Sequence, residues 1–150
     1  MTPKTPKTIK HGHEILCTEL KLITNMPGEI GEKAKLLEEV MYPHFEKEEK
    51  YALPPLGLLL ALSEGSWEID SDEAIKMSDT LKDKLSELKG EHDKILVALE
   101  NLKMSSESEN NFTVKQFIKD LLLHVEMEDQ VLYPATILIG NYLKHLKLYP

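Results

Sequence analysis

Apolar residues recur along this chain at intervals of three and four, the spacing that lines one face of a helix, and period-two runs of Val and Ile are missing. A first stripe runs Ile9, His13, Leu16, Leu20, Ile23 and stops at the breaker pair Pro27 and Gly28. A second runs Leu37, Met41, His44, Glu48, Tyr51, within a helix expected from about Gly31 to Ala52 and ended by Pro54 and Pro55. Pro43 inside that run predicts a kink or a restart near His44. The third stripe, Leu81, Leu85, Leu88, His92, Ile95, Leu99, Leu102, belongs to a long helix capped by the Asp70-Ser71-Asp72-Glu73 cluster and ending near Met104. The fourth, Phe117, Leu121, His124, Glu128, Val131, lies on a helix from Thr113 to about Tyr133, before Pro134.

Residues 53–69 read as an apolar connector with a short helix at Leu56 to Leu62, and a further short helix is expected near Ile137 to Leu146. The expected fold class is all-α: an up-down-up-down four-helix bundle with a short C-terminal helix. Residues 1–8, polar and carrying Pro3 and Pro6, read as a disordered or extended lead, which leaves 9–150 as one bundle domain.

Four His and two Glu fall on the inward stripes, and no Lys lies on the same stripes. A buried carboxylate costs several kcal/mol by order of magnitude unless it is paired or bound to a cation. Imidazole and carboxylate on facing helices make a ligand set for a divalent first-row metal, with iron, manganese and zinc all admissible. The residues also repeat. His44, Glu48 and Pro54 are spaced as His-x3-Glu-x5-Pro, and so are His124, Glu128 and Pro134, with His13 and His92 upstream at nearly matched distances. Two similar helical hairpins would each offer two His and one Glu, and i,i+4 pairs share a helix face, so two metals with open positions are the natural expectation.

Composition narrows the partners. The 150 residues carry 18 basic side chains, all of them Lys, against 26 acidic ones, for a net charge of -8. The absence of Arg and the negative field argue against nucleic acid and against anionic membrane surfaces. The longest apolar stretch, Ala52 to Leu62, is too short to span a bilayer, and the N-terminus lacks the apolar core of a secretory signal. With Cys17 alone, a reducing, cytoplasmic address is expected.

In His13, the His44/Glu48 pair, His92 and the His124/Glu128 pair the chain resembles the hemerythrin-like, or HHE cation-binding, family, over about residues 9–134. The resemblance implies a four-helix bundle around two non-haem, carboxylate-bridged Fe ions, for which Zn or Mn could substitute. It implies that His13 and His44 ligate one iron, His92 and His124 the other, and that Glu48 and Glu128 bridge them. Oxygen-carrying members have a further His one turn after the helix-three His, where this chain has Leu96. Water, an exogenous ligand, or an oxygen of Glu49, Glu91 or Tyr51 could take that place. The implied role is binding or sensing of dioxygen or nitric oxide, a sensor calling for a separate protein partner. The alternative is a di-iron oxidase or peroxidase, or iron storage and delivery under oxidative or nitrosative stress. Among the neighbours, His11 competes weakly with His13, His145 reads as solvated, and Cys17 reads as a small buried hydrophobe. Glu49, Glu91 and Asp129 could orient a ligating imidazole but read as a solvated face. Tyr51 and Tyr133 stand near the carboxylate turns and are candidate hydrogen-bond donors to a bound ligand.

Overall fold

The structure is a computed structural model and describes residues 1–66 and 68–149. Trp67, in the connector, and Pro150, at the end of the bundle domain, lie outside the described residues. Helix α1 spans Lys7–Thr24, α2 Glu29–Lys47, α3 Leu59–Ser63, α4 Ser71–Ser106, α5 Phe112–Met127 and α6 Tyr133–Leu148. Among the described residues there is no strand, and no helix is long and apolar enough to cross a membrane.

Local chemistry sets the ends of these elements. The α1–α2 turn passes through Gly28 at φ 76°, the left-handed region that a side chain disfavours. Asp70 caps α4 by accepting from the Glu73 amide at 3.3 Å, and Asn111 caps α5 by accepting from Val114 at 3.2 Å. Helix α2 runs through Pro43 without a restart. The first six residues run extended across the connector, with Pro3 buried and the Met1 amine donating to the Glu68 carbonyl at 3.0 Å. A Cβ at Gly57 would collide there with the Lys4 carbonyl, so the crossing depends on that glycine.

Helices α1, α2, α4 and α5 form the bundle, each packed on two neighbours. Two features depart from the expected pattern. Both His-x3-Glu segments end in a π-helical turn, Glu48–Ala52 and Glu128–Leu132, in which the glutamate carbonyl accepts from the residue five positions on. The wider turn rotates everything after it by about one residue. Val131, expected on the inner stripe, is therefore 55 % exposed, whereas Leu132 and Tyr133 point inward, and Tyr51 is half-buried while Ala52 and Leu53 are fully enclosed. Second, Pro134 does not stop the chain. It sits in the first turn of α6, where a missing N–H is tolerated, and α6 is a sixteen-residue helix packed along α4 rather than a short cap.

The apolar core comes in two clusters. One holds Leu16, Leu20, Met41, Phe45, Ile95, Leu121 and Val125 between the four bundle helices. The other holds Ala52, Leu53, Leu81, Leu88, Leu132, Tyr133 and Ile139, where the first half of α4 meets α6 and the connector. His92 lies on α4 between Leu88 of one cluster and Ile95 of the other, and the polar side chains meet at that level.

Candidate metal centre

All six polar side chains of the inner stripes converge. His13, His44, His92, Glu48 and Glu128 are buried and His124 nearly so. Their donor atoms form two sets, each within 4.8 Å: His13, Glu48, His124 and Glu128 in one, His44, Glu48, His92 and Glu128 in the other. The pairing implied by the family resemblance, His13 with His44 and His92 with His124, is not the one the side chains adopt. Nε2 of His13 lies 3.1 Å from Nε2 of His124, and the rings of His44 and His92 are 4.6 Å apart between centroids. The imidazoles thus meet across the two hairpins rather than within each, because α5 brings His124 against α1 and α4 brings His92 against α2.

Both glutamates face both sets. Glu48 Oε1 lies 3.5 Å from His13 Nε2, and its Oε2 3.4 Å from His44 Nε2. Glu128 Oε2 lies 3.5 Å from His13 and 3.2 Å from His124, and its Oε1 3.1 Å from His92. Each carboxylate keeps one oxygen with no hydrogen-bond partner, Glu48 Oε1 and Glu128 Oε2, although both residues are wholly buried. A cation relieves that cost, and the donor set of imidazole nitrogens and carboxylate oxygens suits one. The residues present therefore fit a metal.

Burial works to raise Glu48, yet hydrogen bonds with Glu128 and His44 and the charges of His44 and His13 hold it down to about 2. Glu128 is pushed up to about 8 by burial and by the Glu48 charge. Without a cation the pair keeps one proton and one negative charge at neutral pH, as like charges at close range require. Burial lowers His124, leaving it neutral and able to bind a metal. Burial also works to lower His44, but Glu48 and Glu91 outweigh it and raise the ring.

Three residues read from sequence as a solvated face hold the rings instead. Glu91 accepts from His44 Nδ1 at 2.8 Å, Asp129 from His92 Nδ1 at 3.0 Å, and Glu49 from His13 Nδ1 at 3.4 Å. This fixes the tautomer and turns Nε2 toward the centre. The signal was in the chain: Glu49 and Asp129 each follow a site glutamate, and Glu91 precedes a site histidine. Lys47 holds Glu91 in turn. The Tyr133 hydroxyl donates to Glu48 Oε2 at 2.5 Å and lies 3.4 Å from His44 and 3.3 Å from His92. A phenol oxygen thus stands beside His92, where the half-buried Tyr51 was one candidate; burial and the charges of Glu48 and Glu128 push the Tyr133 pKa far up, so it stays protonated. His13 stacks on Phe45 at 3.9 Å. Leu96 is half-buried against the apolar core. His11 and His145 are exposed and outside both sets, and burial raises the half-buried Cys17 to about 11, so it remains a thiol.

None of the curated proteins and none of the solved structures matches the chain. The model of the family described as hemerythrin HHE cation binding domain matches residues 5–136, and with that span, this helical bundle and this cluster of histidines and glutamates, the chain belongs to the hemerythrin HHE cation-binding family.

Proposed function

We propose that this protein holds two non-haem iron ions and binds a small diatomic ligand, dioxygen or nitric oxide, at an open coordination position between its helices. His13, His44, His92 and His124 would hold the ions in this reading, and Glu48 and Glu128 would serve both. The observation that carries it is the sharing of both buried glutamates by both donor sets. Their charge partners are histidines rather than lysines, so two divalent ions are the natural counter-charge. Ferrous ions in such a set supply a position at which a diatomic ligand coordinates and electrons that it can draw on.

The chain's own residues shape that position. Glu91, Asp129 and Glu49 keep three Nε2 atoms aimed inward, and apolar clusters on both sides exclude water. Tyr133 holds a proton at Glu48 Oε2, and Leu96 offers no atom that could occupy a coordination position. A second reading, iron storage or delivery, draws support from an acidic groove of about 400 Å³ that reaches His13 between α1 and α2.

Iron-loaded protein reduced without air and followed by visible absorption separates the readings. A band that appears with dioxygen and vanishes on its removal is expected. Immediate decay to a stable diferric spectrum contradicts reversible binding and supports oxidase or iron-handling chemistry.

A further inference from the structure

The sequence repeat makes the two donor sets comparable position by position, and the comparison fails at two places. Glu91, just before His92 on α4, holds Nδ1 of His44 on α2. The corresponding residue on α1, just before His13, would stand behind His124 on α5, and it is Gly12. Among the described residues His124 is accordingly hydrogen-bonded through Nε2 alone, and its side chain is 13 % exposed against 0 % for His44. The second break is Tyr133, whose hydroxyl lies among His44, His92 and Glu48. Its counterpart after the first π-turn is Leu53, which has no polar side-chain atom.

Access differs in the same sense. The groove between α1 and α2 has His13 among its lining residues, where the one cation, Lys10, is outnumbered by the carboxylates of Glu14, Glu46 and Glu49. These carboxylates draw cations toward an imidazole of the less supported set. The smaller groove beside His44, about 150 Å³ in size, is lined by Glu39, Glu91 and Lys94, with Glu91 tied to both His44 and Lys47.

We infer that the two ion positions are inequivalent: a divalent first-row cation held by His13 and His124 exchanges with solvent through the α1–α2 groove, while one held by His44 and His92 is retained. The inference rests on the two-ion reading above and assigns a different task to each half of it. Carboxylates behind ligating imidazoles govern how firmly the metal is held, by about 10- to 100-fold when one is lost. The retained position has two such carboxylates at 2.8 and 3.0 Å, and the exchangeable one has a single, longer contact at 3.4 Å.

Gly12 supplies the test, because a Cβ added there meets nothing within 4 Å and the site lies within α1. Protein loaded with two equivalents of zinc is challenged with excess chromophoric chelator while NMR of the ring nitrogens follows each histidine. One equivalent is expected to leave about tenfold faster or more, returning His13 and His124 to their metal-free resonances while His44 and His92 keep their zinc-bound ones. Gly12→Glu is expected to slow the fast phase by about tenfold and leave the slow phase unchanged, and Glu91→Gln to quicken the slow phase. Release of both equivalents in one phase, prior release from His44 and His92, or equal slowing of both phases by Gly12→Glu overturns the inference. Uptake of fewer than two equivalents instead contradicts the two-ion reading itself.

Discussion

The two His-x3-Glu segments are alike through the glutamate and part company after it. Both open a π-helical turn at the glutamate, and both place a proline six positions later at the start of the next helical segment. After Glu48 the chain enters the tight 3-10 turn Pro54–Leu58 and a connector; after Glu128 it runs on into sixteen residues of α6 along α4. The same register position becomes Leu53 in the first segment and Tyr133 in the second. The shared part of the repeat sets the geometry of the donor atoms. The unshared part decides how each half is enclosed and which polar atoms support it.

Removing what the two halves share is expected to have the largest effect. Glu48→Ala and Glu128→Ala each delete an oxygen donor from both sets, so either change is expected to lower zinc or iron affinity by about 100-fold or more at both positions, read as metal content after dialysis. His92→Ala and His124→Ala each touch one set, and each is expected to leave one equivalent bound. Loss of both equivalents from either histidine variant would break the idea of two separable positions.

The π-turns offer a test of register in stability. Leu53 is fully buried, and Leu53→Ala is expected to destabilise by about 2–5 kcal/mol in chemical denaturation. Val131, which a regular helix would turn inward, is more than half exposed, and Val131→Ala is expected to cost about 0.5 kcal/mol or less. A comparable cost at both positions would contradict the shift of face after Glu128.

The metal-free protein should show the strain of the paired carboxylates in its pH dependence. Glu128 rises from 4.5 to about 8 on folding, so the folded chain holds a proton that the unfolded chain has released, and stability falls as pH climbs from about 4.5 toward 8. Glu48 moves from 4.5 to about 2, so its contribution is present above the unfolded value and is lost as pH falls toward 2. Thermal unfolding across this range is expected to peak between the two windows, and metal, which favours both carboxylates ionised, is expected to remove the alkaline fall. The smallest effect expected is that of Tyr133→Phe, which removes one hydrogen bond to Glu48 and should change metal retention on the His44 side by a few-fold, leaving the His13 side unchanged.

Much of this molecule was legible in its sequence. Stripes at intervals of three and four gave the four bundle helices, the Asp70 cap gave the start of α4, and polar residues on apolar stripes singled out the six side chains that the fold brings together. What could not be read has physical causes. A π-turn leaves no mark in residue spacing, so Val131 was placed on the wrong face. Pro134 looks the same whether it ends a helix or begins one, so α6 was expected to be short. The partner of each histidine depends on which helices are neighbours at that level, and this set His13 against His124 rather than with His44. Glu91 and Asp129 stand among other polar and charged residues, as surface charges do, and only the packing shows that they face an imidazole.

Whether Glu48 and Glu128 join two metal ions is read by titrating the metal-free protein with ferrous iron without air, oxidising it, and recording electron paramagnetic resonance together with iron content. Two irons per chain are expected with no ferric signal, because spins joined through shared carboxylates cancel. A ferric signal that grows in proportion to iron, as isolated ions give, would contradict it.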